Sequence, residues 1–231
     1  NVAAGNDGSS AALIMGSPLT TSTSLTGGGT LRMTESNLIG AGSAATSGDF
    51  KFINYNAIIG SGYAMDLISS HPNVDSTTIE NMESFWALGG SMITGAETFM
   101  NKGYLYASES GSLSVSGRRL ENRHAAQVGA FLGAGSTLEL AFDEGINSGY
   151  VFASEGATLR LLPGTSGSNV WSAGLESVSA QLGIFISNAS TMELDSINLT
   201  GGSLVAKKGG QFIAEGRQGN VSITGSSMDI G

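Results

Sequence analysis

The sequence has no cysteine, 3 prolines and 2 histidines, and charged side chains make up 13% of its 231 residues. The absence of cysteine excludes a disulfide framework and any thiolate metal site. His71 and His124 stand far apart and give no zinc-ligand spacing. The charged fraction is about half the globular average of roughly 25%. No apolar run approaches the ~20 residues of a membrane-spanning helix. The net charge of −9 denies the chain the basic footprint that nucleic-acid phosphates require.

What is present is glycine, at 35 residues, with abundant serine and threonine and a hydrophobic content of 40%. A disordered chain of this glycine and serine content would lack the apolar residues. Here they come in short, regular runs, which predicts one folded, elongated domain over residues 1–231. Five units share an opening: "GYLYASESGSLSVSG" from Gly103, "GAFLGAGSTLELAF" from Gly129, "GYVFASEGATLRLLP" from Gly149, "GIFISNASTMELDS" from Gly183 and "GSLVAKKGGQFIAEG" from Gly202. Their starts are 26, 20, 34 and 19 residues apart, and weaker copies run upstream from Ala12. Residues 103–216 carry the clearest repeats.

Each unit holds two apolar stretches too short for a helix. "TLELAF" and "TLRLL" alternate with period two, as half-buried strands do. "ASEG", "GAGS" and "SNAS" supply residues that tolerate left-handed corners. Such units cannot bury an inner face alone, and stacking produces one apolar column. The expected fold is therefore all-β: a single right-handed parallel β-helix, or β-solenoid, with irregular loop insertions at 66–83, 117–127 and 164–181. Leu113 and Val115, Leu138 and Leu140, Leu159 and Leu161, and Met192 and Leu194 are expected to point inward. Two stretches, "TTIENMESFWAL" and "RRLENRHAAQVGAF", have helix-like composition.

The strand openings "GGTLRM" (Gly28), "SGSLSV" (Ser110), "GATLRL" (Gly156) and "GGSLVA" (Gly201) resemble those of the parallel β-helix in autotransporter-type passenger domains and related bacterial surface adhesins. The phage tailspike β-helix is similar in style. The resemblance implies an extracellular or cell-surface rod for adhesion or self-association, with another copy or a host or surface glycan as partner. A tailspike-like carbohydrate-binding or carbohydrate-cleaving protein is the alternative. No cofactor or metal is expected, and the chain reads as non-enzymatic, with glycan hydrolase or lyase as the competing reading.

Arg118, Arg119 and Arg123 form the one basic cluster, suited to an anionic glycan or to a neighbour's acidic face, or simply a solvated loop. Trp171, on an expected insertion, is a candidate for sugar stacking or for the core. Asp143, Glu144 and Asn147 have a calcium-like composition without the spacing of a calcium loop. Glu139, Arg160 and Glu193 are expected on one outward face as a charge ladder. Val221, Ile223, Met228 and Ile230 are expected at an end of the stack, covered by a following coil or a neighbouring molecule.

Overall fold

A computed structural model describes residues 12–15, 22–34, 38–41, 49–66, 76–164, 170–172, 183–215, 220–224 and 227–231. Among these every regular element is a strand, and every strand pairing is parallel. The chain winds through three faces in turn, and each face stacks on itself from coil to coil. The protein is a parallel β-solenoid.

Face A stacks β1 (Ala12–Met15), β4 (Leu38–Ala41), the second halves of β6 (Ala57–Asp66) and β8 (Ser84–Gly95), and the first halves of β11 (Ser112–Asn122) and β13 (Thr137–Asn147). It continues through β15 (Thr158–Pro163), β18 (Thr191–Asp195) and β21 (Gln211–Glu215). Face B stacks β2 (Ser22–Leu25), β5 (Asp49–Asn54), β7 (Ser76–Asn81), β9 (Thr98–Asn101), the second halves of β11 and β13, β16 (Val170–Ser172), β19 (Asn198–Thr200) and β22 (Ser222–Thr224). Face C stacks β3 (Thr30–Met33), the first halves of β6 and β8, β10 (Tyr104–Ser108), β12 (Gln127–Phe131), β14 (Tyr150–Ala153), β17 (Gly183–Ser187), β20 (Ser203–Lys207) and β23 (Ser227–Ile230).

Period-two alternation fixes which side chains enter the core. On face A, Leu113, Val115, Leu138, Leu140, Leu159, Leu161, Met192 and Leu194 are all buried, as their alternation predicts. Face C contributes two inner rows. One is bulky: Ile58, Phe85, Leu105, Val128, Val151, Ile184, Leu204. The other is nearly all alanine: Ala87, Ala107, Ala130, Ala153, then Ile186 and Ala206. The small row lets the chain turn toward face A without crowding the interior. The corners there carry left-handed backbone at Glu109-Ser110, Glu155-Gly156, Asn188-Ala189 and Lys208-Gly209, with φ between 52° and 80°. These include the "ASEG" and "SNAS" segments expected to turn.

The corner between faces B and C is built differently. The last residues of β5, β7, β9, β11 and β13 are Asn54, Asn81, Asn101, Asn122 and Asn147, all buried. Each Nδ2 donates to the Oδ1 of the next: 3.0, 2.8, 2.9 and 2.7 Å in turn. The same amides donate to the carbonyls of Ser84, Tyr104, Gln127 and Tyr150, where the face C strands begin. The four donating amides are tolerated in the core because each is satisfied on both sides, whereas Asn147 Nδ2, at the end of the ladder, has no partner among the described residues. On face A, Thr94 is fully buried and its Oγ1 has no partner among the described residues.

Several expectations need correction. Residues 76–81 and 117–122, expected in loop insertions, are strand within β7 and β11, and 76–81 and 119–122 stack in face B. Within 164–181, residues 170–172 form β16. Residues 67–75, 165–169 and 173–181 lie outside the described residues, as does His71. The two helix-like stretches are strand and corner: Ile79 and Asn81, and Leu120 and Asn122, face inward two apart rather than three or four. The unit placed at Gly129 also starts late. Gln127 pairs with both Tyr104 and Tyr150, so Ala126 occupies the corner held by Gly103 and Gly149.

Candidate functional site

Because Leu105 and Ala107 face inward, Tyr104 and Tyr106 must face out, and the same parity holds on every strand of face C. The outward row of register partners is Ile59, Trp86, Tyr106, Gly129, Phe152, Phe185 and Val205. A neighbouring row holds Tyr104, Gln127 and Tyr150. Aromatic side chains suit a pleated, half-buried surface, and here they accumulate on one side of the rod.

The rings touch from coil to coil. Tyr106 and Phe131 meet edge-on with centroids 5.1 Å apart, and Phe131 stacks on Phe152 at 6.0 Å. Trp86 lies 6.1 Å from Tyr106 and 6.3 Å from Phe131. Tyr104 tilts against Tyr106 at 5.3 Å, and Tyr150 against Phe185 at 6.2 Å. Gly129 makes this possible. A Cβ there would lie 2.3 Å from the Phe152 ring, which leans across the vacant position.

The polar ends of the two central rings are tied down. The Trp86 indole N–H donates to Ser108 Oγ at 2.7 Å, and the Tyr106 hydroxyl donates to Gln127 Oε1. Burial, helped by neighbouring Tyr104, pushes the Tyr106 phenol up to about 12. Beside these rings runs a shallow groove of about 340 Å³ lined by Tyr106, Phe131, Leu132, Phe152, Ser154 and Glu155. It offers ring surface on one side and a hydroxyl and a carboxylate on the other.

The basic cluster lies elsewhere and is largely committed. Arg118 pairs with Glu97 at 2.9 Å, Arg119 spans Glu121 and Glu144 at 2.8 and 2.7 Å, and Arg123 pairs with Glu121. A larger hollow of about 730 Å³ is lined by Lys102, Arg123, His124 and Ser148. Its Lys102 is bound to Glu80, which also holds Lys51 from the other side. Burial raises the Glu80 carboxyl, but the hydrogen bonds of Lys102 and Lys51 outweigh it and the net direction is down.

Arg160 bridges Glu139 at 2.9 Å and Glu193 at 2.7 Å across three coils, as the expected ladder requires. Those hydrogen bonds, the one donated to Glu139 foremost, raise the guanidinium's pKa against the cost of burial. Glu144 of the calcium-like segment is held by Arg119, and Asn147 belongs to the ladder. Among the described residues no group of three or more His, Asp or Glu could hold a metal.

Trp171 sits on β16 opposite Gly145 and Leu199, on a stacked strand rather than an inserted loop. Val221 and Ile223 are partly buried against the core, while Met228 and Ile230 are 50% and 70% exposed. Met228 and Ile230 continue the rows of Leu204 and Ala206. The aromatic strip was missed in the sequence, where "YLYA" and "YVFA" served only as repeat markers. The usable signal is parity: an aromatic between two inward residues must point out.

The chain matches no family model, and no curated protein or solved structure gave a match.

Proposed function

We propose that this chain is a structural, adhesive β-helix rod that attaches side-on at an extracellular or cell surface, in the manner the passenger-domain resemblance implies. The observation supporting this reading is the aromatic strip of face C. Rings from five successive strands, β8 to β17, are held partly exposed on a rigid sheet. Exposed aromatic surface aligned across successive coils contributes less to the core than burial would, and its confinement to one face of the rod, rather than its area, is what supports an interaction role.

The test is retention. Beads coated with the full chain are applied to bacterial lawns, animal cell layers and polysaccharide films, then washed under flow. Retention well above that of albumin-coated beads on at least one surface is expected. Equal loss from every surface would end the adhesive reading.

A further inference from the structure

Resting on that attachment reading, we propose that the strip is a carbohydrate subsite that takes an extended, uncharged oligosaccharide along the rod axis. Its sugar rings pack against the mixed faces and edges of Tyr106, Phe131 and Phe152, and its hydroxyls meet Ser154 and Glu155.

Shape selects the occupant first. With strands ~4.8 Å apart and residues rising ~3.3 Å, the strip from β8 to β17 spans ~19 Å by ~13 Å, or ~250 Å². A stable protein interface covers ~800 Å² on each partner. The strip is too narrow for a protein and long enough for several units of a linear chain. A pyranose in an extended chain advances by about the length of one strand spacing, so rings and sugars stay in step.

Chemistry selects it second. A sugar has an apolar face and a rim of hydroxyls, and the groove offers rings beside a hydroxyl and a carboxylate. The side chains of Ser154 and Glu155 have no partner among the described residues, so both are available to a ligand. The tethers from Trp86 to Ser108 and from Tyr106 to Gln127 hold the rings in place beforehand, which lowers the entropy lost on binding. Charge selects it third. Among the described residues Glu155 is the one carboxylate lining the groove, and the chain carries −9 overall, which repels uronate or sulfated chains.

The experiment is calorimetric titration of the full chain with cellohexaose, maltohexaose, the hexamer of N-acetylglucosamine and hexagalacturonate. Saturable binding to at least one neutral hexamer is expected, with the hexauronate at least tenfold weaker. Tyr106→Ala and Phe152→Ala should each weaken the neutral ligand tenfold or more while melting as folded proteins. Should either fail to fold, Glu155→Lys decides, since it lies at the exposed corner. It should narrow or reverse the preference against hexagalacturonate. No binding of any neutral hexamer at millimolar concentration overturns the proposal. So does neutral binding that Tyr106→Ala and Phe152→Ala leave unchanged, or an uronate preference indifferent to Glu155→Lys. Wild-type self-association that these variants abolish would make the strip a protein interface and overturn it too. Beads that adhere while no hexamer binds would defeat the carbohydrate assignment alone, and hexamer binding without bead retention would defeat the attachment reading alone.

Discussion

Asn101 donates its side-chain amide to Asn122 Oδ1 at 2.9 Å, while its own Oδ1 accepts from Asn81 at 2.8 Å. The ladder therefore has a direction, and its last member, Asn147, has an Nδ2 without a partner among the described residues. Replacing Asn101 with Asp removes a used donor and buries a charge, costing ~3 kcal/mol or more. Asn147→Asp also buries a charge, but its carboxylate keeps the two N–H donors of Asn122 and Gly149 and gives up only an idle donor. Urea melts at neutral pH should rank Asn101→Asp well below Asn147→Asp. Equal losses would show that the ladder's direction is energetically irrelevant.

Thr94 lies opposite Val115 in an otherwise apolar row, with its hydroxyl unmatched. Thr94→Val keeps the shape and removes the unsatisfied group, and it should stabilise the chain by ~1 kcal/mol. Calorimetry should show a rise in Tm of roughly 2–4 °C, as that increment gives for a chain of this size. A fall in Tm would mean that the hydroxyl is satisfied.

Gly129→Ala places a methyl group where the Phe152 ring now lies. The ring must leave, and overpacking of this kind costs ~1–3 kcal/mol. Adding Phe152→Ala removes the clash, so the double variant should lose less than the sum of the singles. Additive losses, measured by thermal melting, would place the cost in the backbone instead.

The Tyr106 phenol, near 12 against an ordinary value of 10.0, ties stability to high pH. The folded state disfavours the phenolate, so the unfolded chain releases that proton first. This contribution is intact below pH 10, declines between 10 and about 12, and levels off above. Absorbance titration should show a late-ionising tyrosine that Tyr106→Phe removes. A wild-type titration without that late component would refute the assignment.

The inner rows of face A were legible because "TLELAF" and "TLRLL" state their parity within five residues. The Asn ladder was not, although Asn54, Asn81, Asn101, Asn122 and Asn147 recur at coil intervals. Those intervals vary, and only the pairing register shows that the five are stacked. Glycine was a poor ruler for the same reason: at the corner shared by Gly103 and Gly149 the chain uses Ala126. Arg118 to Glu121 looked helical from composition, yet Arg119 and Glu121 lie on one face of a strand, two residues apart, and form an ion pair there. The aromatic strip was hidden because a short sequence names a ring without naming its side. Only the burial of Leu105 and Ala107 assigns Tyr106 to solvent.

The nearly constant alanine row and the repeated asparagine corner give successive coils the same cross-section. The molecule is therefore modular in one dimension: length can change without redesigning the interior. Excising residues 126–148 would set Tyr150 directly against Tyr104, Leu159 against Leu113 and Leu161 against Val115, each pairing like with like. Such a shortened rod keeps its core chemistry while the outward rings are reshuffled, bringing Phe152 beside Tyr106 with Phe131 gone. Reach and surface pattern are thus separately adjustable, so whole-turn duplications and losses are an accessible route by which this chain could vary what it touches.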